Sequence, residues 1–575
     1  MQLKLKLLYS LAFWFSFIGI FVFLADFGYS QSERSQNILN SYYYTVLLLG
    51  VAATTMRYVT DRSLFKRKAF LFDLATVLFT LVLLFIYTFH YVPSNSNYIK
   101  FAILFTFIRE FSELRLNYKR TILNPAQLFI VSFMVIIFLG ALLLQLPKAT
   151  HSGISFIDAL FTSTSAVCVT GLAVVDTGTY FTEFGQVIIM CLIQIGGLGI
   201  LTFASYFSYF FKGGSTYENQ LVLSDMTSSN KLGEVFSTLK NILLITFGIE
   251  LVAGILIYLS LDSQHFETPY DQVFFAAFHA VSAFCNAGFS TLSNGLYDVA
   301  FRYNYMMQLV IIFSFVLGGL GFPIVVNILN YLKYKLKRLV FFSKKVSIYK
   351  PWVLNLNSRI TLITTISLSV VGFIGFYVLE YNNTMAEHNG FGKVVTALFG
   401  ATTPRTAGFN TIDMGALAFP TVMMIFLLMW IGASPASTGG GIKTSTFAIA
   451  TLNILSLAKG KSRIEVFRRE IADISVRRAF AIISLSLIVI GFGVILITVF
   501  DGDKDLMSIA FECFSAYSTV GLSLGITGSL STMSKFVIVV VMFIGRVSML
   551  SIIIAVFNKV KHKNYRYPTE EITMN

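Results

Sequence analysis

Four short segments share one pattern and recur along the chain at nearly even intervals. They read CVTGL at 168–172, CNAGF at 285–289, RTAGF at 405–409 and STVGL at 518–522. The central glycines, which we call the filter glycines, are Gly171, Gly288, Gly408 and Gly521, and they are 117, 120 and 113 residues apart. Each interval is long enough for two membrane-spanning helices of about 20 residues and a re-entrant loop. One motif repeated four times predicts a pore with four related sides.

The four repeats keep their register in the residues around the glycine. Ten positions before it stand Phe161, Phe278, Leu398 and Phe511, and six positions before it stand Ser165, Ser282, Thr402 and Ser515. A further glycine follows in each repeat, at Gly196, Gly318, Gly432 and Gly545. We expect it to open or interrupt the helix after the filter. Each repeat is therefore predicted to contain an outer helix, a short descending helix, a filter segment and an inner helix.

The composition of the chain indicates a membrane as its solvent. Of its 575 residues 55% are hydrophobic and 13% are charged, and the mean hydropathy is +0.73. The net charge of +14 does not indicate nucleic-acid binding, because lysine and arginine fall in short loops on alternate sides of the apolar runs. We predict a membrane protein of many helices, in contact with lipid and without nucleic acid.

The apolar runs divide the chain into three predicted parts. The fold class is all-α, with four fused repeats of outer helix, pore loop and inner helix around one pore, preceded by about four further transmembrane helices. The predicted parts are an accessory region at 1–122, a pore domain at 123–560 and a cytoplasmic tail at 561–575. The repeats are predicted at about 123–212, 238–332, 356–458 and 474–558, and the four accessory helices near 8–25, 41–57, 69–92 and 98–112.

The role of the accessory region is left open by its sequence. A voltage sensor needs arginines at a repeated three-residue spacing. The candidate helix at 98–120 instead mixes Lys100 and Arg109 with Glu110 and Glu113. A structural or regulatory bundle is the favoured interpretation.

The filter segments have the chemistry that cation conduction needs. A cation that enters a membrane loses its hydration shell, and inward-facing backbone carbonyls replace it without burying a fixed charge. Glycine tolerates positive φ and lets neighbouring segments approach one axis. Backbone that is not helical survives at membrane depth only where protein or a water-filled cavity satisfies it, so the four repeats must face one another. The candidate ion-binding residues are Val169, Thr170, Gly171, Asn286, Ala287, Gly288, Thr406, Ala407, Gly408, Thr519, Val520 and Gly521.

Longer stretches of the sequence resemble one family. They are LPKATHSGISFIDALFTSTSAVCVTGL (146–172), QIGGLGILTF (194–203), GASPASTGGGIKTST (432–446) and RYP (566–568) followed by Glu570 and Glu571. Over about residues 122–572 the chain resembles the Trk/Ktr/HKT superfamily of potassium transporters, and most of all the bacterial Ktr-type membrane subunits. The resemblance implies a homodimer with one pore in each subunit and potassium uptake at the cell membrane. It also implies a cytosolic nucleotide-binding ring as the regulatory partner.

The resemblance also indicates which ion the filter selects. The four filter glycines match those of the potassium-selective members, whereas sodium-preferring plant relatives carry serine at the first of them. Potassium is therefore the favoured substrate, and sodium dependence is left open. No covalent cofactor is expected, and a nucleotide is expected to act only through the partner subunit. The tail from Lys559 to Asn575 resembles the Ktr tail, which packs at the dimer interface and near the ring.

The third inner helix contains a run of small and polar residues, Gly432–Gly441. A small-residue packing face is one interpretation, but a proline and three consecutive glycines are too unfavourable in a plain helix. In the resembled family the matching segment is an intramembrane loop that obstructs the pore, and a basic residue lies near it. The gating residues implied in this chain are Ala433, Ser434, Pro435, Ala436, Ser437, Thr438, Gly439, Gly440, Gly441, Lys443 and Arg546.

Several polar residues in the pore domain have two interpretations each. Asn286 and Arg405 match family positions beside the filter, where bracing by hydrogen bonds is favoured over contact with the ion. Glu250 and Glu512 are carriers of protons or sodium, or buried carboxylates bonded to backbone or to a basic neighbour, and the second interpretation is favoured. His279 is expected to be packed and hydrogen-bonded.

Two functions remain open from the sequence. No nucleophile elbow, phosphate loop or His-Glu-x-x-His motif occurs in the chain, so an enzyme is not expected. The favoured function is gated potassium uptake through the filter. The alternative is a non-conducting membrane scaffold or receptor that keeps the transporter fold.

Overall fold

The computed structural model describes residues 2–60, 70–88, 97–112, 125–210, 235–340, 354–547 and 552–553. Within these ranges the chain forms 18 α-helices and one short hairpin, β1 Glu465–Val466 and β2 Arg469–Glu470. The prediction of an all-α membrane protein is confirmed. The predicted tail at 561–575 lies outside the described residues, as does the acidic residue Glu113 of the accessory region.

The chain divides into two compact units. The first comprises 1–122, 143–153 and 182–185, and the second comprises 123–142, 154–181 and 186–575. The helices of the first unit are α1 Gln2–Gly28, α2 Glu33–Thr60, α3 Phe70–Thr88 and α4 Asn97–Ser112. These four helices correspond to the four apolar runs read from the sequence.

Buried charges of the first unit lie in ion pairs. Glu110 accepts from Arg57 at 2.5 Å and from Arg109 at 2.8 Å, and Arg109 also lies 3.4 Å from Asp73. Because an ionised side chain is costly inside a membrane, these pairs explain how the helix α4 keeps its charges at buried positions.

A second pair lies nearer the start of α4. Lys100 Nζ lies 3.4 Å from the carboxylate of Asp26, which also accepts a hydrogen bond from Tyr43 at 3.0 Å. The described cations of α4 are therefore paired with carboxylates.

The helices of the four repeats follow the predicted order and belong to the second unit, apart from 143–144 and 183–185 at two helix ends of repeat I. Repeat I has α5 Pro125–Leu144, α6 Phe156–Val167 and α7 Glu183–Phe210, and repeat II has α8 Val235–Ser260, α9 Pro269–Phe284, α10 Tyr305–Leu320 and α11 Phe322–Val340. Repeat III has α12 Leu356–Glu380, α13 Gly390–Thr402, α14 Phe419–Trp430 and α15 Thr444–Ala458, and repeat IV has α16 Asp473–Phe500, α17 Leu506–Ser518 and α18 Thr532–Val547.

Four described helices are long and apolar enough to cross a membrane. They are Leu7–Gly28 and the outer helices of repeats II to IV, Lys240–Ser260, Leu356–Glu380 and Asp473–Phe500. A fifth span is formed if the two inner helices of repeat II are counted as one, bent by 106° at Gly321. The chain is a multi-pass membrane protein.

The short descending helices α6, α9, α13 and α17 begin at polar N-cap residues. Ser155, Thr268, Asn389 and Asp505 each accept a hydrogen bond from the backbone N–H three residues later. Such a cap satisfies one of the free N–H groups at the start of a helix. Each helix then ends at a filter segment, so the cap and the helix length position the filter.

The glycines of the inner helices correct one sequence prediction. Gly196 and Gly545 lie inside the continuous helices α7 and α18, and Gly318 lies two residues before the end of α10. A Cβ on these three glycines would approach the carbonyl carbon or oxygen of Val167, Phe284 and Tyr517 to 3.0 Å or less. They allow the inner helix to pack against the end of the descending helix. Of the four, Gly432 alone follows a helix end, at Trp430.

Candidate functional site

The four filter glycines form a closed ring. A Cβ on Gly171 would come closer than 3.0 Å to the carbonyl oxygen of Ala287, and one on Gly288 would meet Ala407 in the same way. Likewise, Gly408 faces the carbonyl of Val520, and Gly521 faces that of Thr170. Every contact is between a glycine and the residue that precedes the next glycine. The repeats therefore surround one axis in the order I, II, III, IV.

The backbone of the filter alternates in the same way in all four repeats. The φ angles of Gly171, Gly288, Gly408 and Gly521 are 91°, 70°, 77° and 93°. Two residues earlier, Val169, Asn286, Thr406 and Thr519 have φ angles of 58°, 60°, 73° and 49°. A β-branched residue rarely adopts positive φ, and the strain is of the order of 1–3 kcal/mol for each. The surrounding structure holds this backbone in place.

Hydrogen bonds from the descending helices hold the filter segments in repeats I, II and IV. The backbone N–H before the glycine donates to a carbonyl five residues earlier, from Thr170 to Ser165 and from Ala287 to Ser282 at 2.7 Å, and from Val520 to Ser515 at 2.9 Å. The hydroxyls of these serines also contact the filter. Ser165 and Ser515 accept from the N–H of Gly171 and Gly521 at 3.0 and 3.1 Å, and Ser282 donates to Phe289 O at 2.7 Å.

Repeat III departs from the common register by one residue. Thr403 instead of Thr402 supplies the hydroxyl that bonds the filter, donating to Phe409 O at 2.6 Å. The hydroxyl of Thr402 donates back into its own helix, to Leu398 O at 2.6 Å. The buried phenylalanine is likewise Phe399 rather than the predicted Leu398. The spacing between the hydroxyl residue that bonds the filter and the filter glycine is therefore the same in the structures of repeats I, II and IV only. In repeat III the link from Thr403 to Gly408 is one residue shorter.

Above the ring lies a cavity of about 520 Å³. It is lined by three filter glycines and by the loops that follow the filters, within 293–297, 410–415 and 522–528. Asp413 is the one carboxylate among its lining residues. We call this cavity the vestibule. The vestibule opens onto Gly171, Gly408 and Gly521 of the ring.

On the other side of the ring lies the segment 431–443, which we call the repeat III loop. It separates α14 from α15, as the run of small residues predicts. A Cβ on Gly439 would collide with the side chain of Thr406, and one on Gly440 with that of Thr519. The loop therefore lies against the filter segments of repeats III and IV.

Asn286 connects the repeat III loop to the filter. Its Oδ1 accepts a hydrogen bond from Thr438 Oγ1 at 3.0 Å, and its Nδ2 donates to Thr406 Oγ1 at 3.4 Å. One buried amide thus contacts the filter of repeat III and the loop below it.

Two cations donate to consecutive carbonyls of the repeat III loop. Lys443 Nζ lies 2.5 Å from Gly439 O and 3.5 Å from Gly440 O. The guanidinium of Arg546, which is 4% exposed, donates to Thr438 O and, at 2.6 Å, to Gly196 O. Neither cation occurs in an ion pair within the described part of the chain. The loop under the filter therefore carries positive charge that no described carboxylate neutralises.

Arg405 does not point into the ring. Its guanidinium donates to Thr365 O at 3.2 Å and to Ser369 Oγ at 3.4 Å, both on the outer helix α12. These bonds tie the filter segment of repeat III to its outer helix.

The buried carboxylates have partners other than those expected. Glu250 accepts from Gln194 Nε2 at 3.2 Å and from the Cys285 thiol at 3.8 Å, rather than from backbone or a cation. Glu512 accepts from the hydroxyls of Ser523 and Thr527. Neutral side-chain donors therefore take the place of the predicted basic neighbour.

His279 is packed as expected, since both ring nitrogens have partners. They lie 2.9 Å from Phe275 O and 2.9 Å from Ser290 Oγ. The contact with Ser290, like that of Glu512 with Ser523, was not foreseen from the sequence. A signal was present in the equal offsets of these residues from Gly288 and Gly521.

The sequence and fold match known transport proteins. The family model described as "TrkH: Cation transport protein" matches residues 93–566. The "Ktr system potassium uptake protein B" of Bacillus subtilis is 36% identical over 451 residues, which cover 78% of this chain and 96% of that protein. The "Potassium/sodium uptake protein NtpJ" of Enterococcus hirae is 34% identical over 460 residues, 79% of this chain and 97% of the relative.

A solved structure shares the fold. The potassium transporter TrkH from Vibrio parahaemolyticus superposes with a TM-score of 0.60 at 17% sequence identity, covering 90% of this chain and 98% of that one. At this identity the likeness shows the architecture alone. The family match and the sequence relatives carry the assignment, and they are transporters rather than enzymes. The chain belongs to the TrkH family of cation transport proteins, as a membrane subunit of the Trk/Ktr superfamily.

Proposed function

We propose that this protein takes up potassium across the cell membrane through the ring of filter glycines. The observation that carries the proposal is the closed ring itself, in which each glycine faces the carbonyl that precedes the next glycine. Four inward segments with the same alternating backbone supply oxygens to a dehydrated cation. The twelve candidate ion-binding residues form the four segments that end at these glycines, and the proposal assigns ion binding to them.

Potassium is the proposed substrate because of the relatives and of the intact glycines. The matched relatives are named as potassium uptake proteins, and one as a potassium/sodium uptake protein. The proposal therefore includes sodium as a second ion, which either passes through the pathway or regulates it.

The repeat III loop is proposed as the gate. It lies directly under the filter, and Lys443 and Arg546 add positive charge at that point of the pathway. A cation that leaves the filter would meet both a physical obstruction and electrostatic repulsion. Swinging a short glycine-rich segment aside would remove both, which suits a gate with two arrangements close in free energy.

Assembly and regulation are proposed from the family resemblance. The pore domain at 123–560 would form a homodimer with one pore in each subunit, and the tail at 561–575 would contact a cytosolic nucleotide-binding ring. A nucleotide would then act on the gate through the partner subunit. The accessory region at 1–122 is proposed as a structural or regulatory bundle, because the buried charges of α4 are paired within it.

Substitution of a filter glycine tests this function. In Gly171→Ser or Gly408→Ser, the added Cβ collides with a filter carbonyl, so we expect the preference for potassium over sodium to fall at least about tenfold, a change of about 1.4 kcal/mol. The measurement is uptake of both ions by transport-deficient cells that express the full chain, with and without a cytosolic nucleotide-binding partner.

Gly491→Ser is the matched control, because a Cβ on this glycine of the outer helix α16 meets nothing within 4 Å. It is expected to keep the wild-type ratio. Unchanged selectivity in both filter variants, at normal membrane levels, would refute the assignment of the ring as the filter.

A further inference from the structure

The descending helices of repeats II and IV carry polar side chains at the same position. His279 and Glu512 both stand nine residues before the filter glycine, and both are fully buried. His279 Nε2 lies 2.9 Å from Ser290 Oγ, and Glu512 Oε1 accepts a hydrogen bond from Ser523 Oγ. Both serines stand two residues after the filter glycine. Repeats II and IV thus share a contact between equivalent positions, made by an imidazole in repeat II and by a carboxyl group in repeat IV.

Repeats I and III lack this contact. In repeat I the two positions hold Thr162 and Ala173, and the buried hydroxyl of Thr162 has no hydrogen-bond partner. In repeat III the one-residue shift places Gly400 at the helix position, where there is no side chain. Because the ring runs in the order I, II, III, IV, the two contacts lie on opposite sides of the pore.

Each contact links the helix before the filter to the segment after it. The filter glycine lies between the two linked residues in the chain, so the bond limits how far the glycine can move from the axis. Glu512 bonds two hydroxyls of the chain after the filter, whereas His279 bonds one, so Glu512 provides the firmer of the two links.

Glu512 also holds a second residue of the vestibule wall. Its Oε1 accepts from Thr527 Oγ1 at 2.9 Å, and the hydroxyls of Thr527 and Ser523 lie 2.9 Å apart. Ser523 and Thr527 both line the vestibule. No described lysine or arginine forms an ion pair with Glu512, and its buried Oε2 has no hydrogen-bond partner. Burial of this carboxyl group without a cation is unfavourable, so its contacts with the vestibule wall are kept at an energetic cost.

We propose that Glu512 and His279 are positioning residues that hold the outer end of the filter from two opposite sides. Through Ser523, Glu512 sets the preference for potassium over sodium. The physical reason is that a ring of carbonyls distinguishes the larger ion only while it resists contraction around the smaller one. The inference rests on the proposed function, since it presupposes that the ring binds potassium.

Ion binding by the purified full-length protein tests the inference without requiring flux or a partner. The affinities for potassium and for sodium are measured by titration calorimetry in detergent for the wild type and for each variant. In Ser523→Ala the potassium-to-sodium affinity ratio is expected to fall about tenfold, or about 1.4 kcal/mol, which is the size of one lost buried hydrogen bond. Alanine is accommodated at this position of repeat I, as Ala173, so the variant is suited to fold.

Two further variants separate positioning from a general disturbance of the fold. Glu512→Gln keeps an oxygen acceptor for both hydroxyls and is expected to retain the ratio within about threefold, because the amide oxygen can still accept from Ser523 and Thr527. Thr162→Val is the matched control at the same helix position of repeat I, where the hydroxyl has no partner to lose. It is expected to keep the wild-type ratio.

The outcomes distinguish this inference from the proposed function. A wild-type protein without preference for potassium would contradict the proposed function itself. A potassium-selective wild type with an unchanged ratio in Ser523→Ala would overturn the inference alone. An equal loss in Thr162→Val would also overturn it, since the effect would then not depend on the bond. If Glu512→Gln fails to fold, Ser523→Ala still decides.

Discussion

The filter and the repeat III loop lie next to each other but are built in opposite ways. The filter is made by all four repeats, with the same alternating backbone at Gly171, Gly288, Gly408 and Gly521. The loop is made by repeat III alone, which is also the repeat with the shifted register and the one that carries Arg405. Inner helices α7 and α18 run on past the filter, whereas α14 ends at Trp430.

This difference indicates that ion selection and gating are carried out by different parts of the pore. Selecting an ion on an axis requires oxygens on every side, so each repeat must contribute and none can be replaced. Blocking the axis requires one element from one side. The fourfold part of the pore is therefore expected to control which ion passes, and the single-copy part to control when it passes. Substitutions in the two parts should produce separable effects.

In the single-copy part, the largest effect on potassium flux is expected from Arg546. Arg546→Ala removes a buried cation that donates to Thr438 O and Gly196 O, so it frees the loop and removes positive charge below the filter. We expect basal potassium flux to rise about tenfold, corresponding to a barrier lowered by about 1.4 kcal/mol, and to depend less on the nucleotide of the partner. The potassium-to-sodium ratio should stay at the wild-type value. Ion flux in proteoliposomes, with and without the partner, measures both quantities.

Arg463→Ala is the charge-matched control for Arg546. Arg463 is exposed and lies 3.5 Å from Glu470 in the surface hairpin, a pair worth little to stability. Its loss should leave flux unchanged. If Arg546→Ala instead alters selectivity and leaves basal flux unchanged, the division between filter and loop is wrong.

A smaller effect than that of the filter-glycine variants is expected from the serines that hold the fourfold part. Ser165→Ala leaves the N–H of Gly171 without its hydroxyl acceptor at 3.0 Å, and Ser515→Ala does the same to Gly521 at 3.1 Å. The loss of one neutral hydrogen bond, about 1 kcal/mol, predicts roughly a fivefold fall in the potassium-to-sodium ratio for each. Regulation by the partner should be unaffected. Because the two repeats are equivalent at this point, a loss in one variant without a loss in the other would break the comparison.

The sequence predicts the repeated parts of this molecule well and the single-copy contacts poorly. Each copy of a motif that occurs four times can be compared with the other three. The positions of the filter glycines and of the descending helices therefore follow from the sequence. The run with Pro435 and three glycines identified the loop because its residues are too unfavourable in a helix. No such pattern indicated that Thr403, and not Thr402, donates the hydrogen bond to the filter. Two adjacent threonines cannot be distinguished in this respect from sequence.

Hydrogen bonds between residues far apart in the chain could not be predicted from the sequence either. The partners of Glu250 come from residues 56 and 35 positions away, Gln194 and Cys285, and no local pattern joins them. Gly196 and Gly545 were expected to break helices, but they allow close packing within helices instead. Intrinsic propensity makes a glycine unfavourable in a helix by only about 1 kcal/mol, which tertiary packing offsets.

The central claim is that the ring of filter glycines binds potassium on its axis. Crystals of the full-length protein grown with rubidium in place of potassium test it most directly, because rubidium has a similar size and a measurable anomalous signal. We expect an anomalous peak between the carbonyls of Thr170, Ala287, Ala407 and Val520, and loss of that peak in Gly408→Ser. A wild-type structure with rubidium bound elsewhere and none in the ring would contradict it.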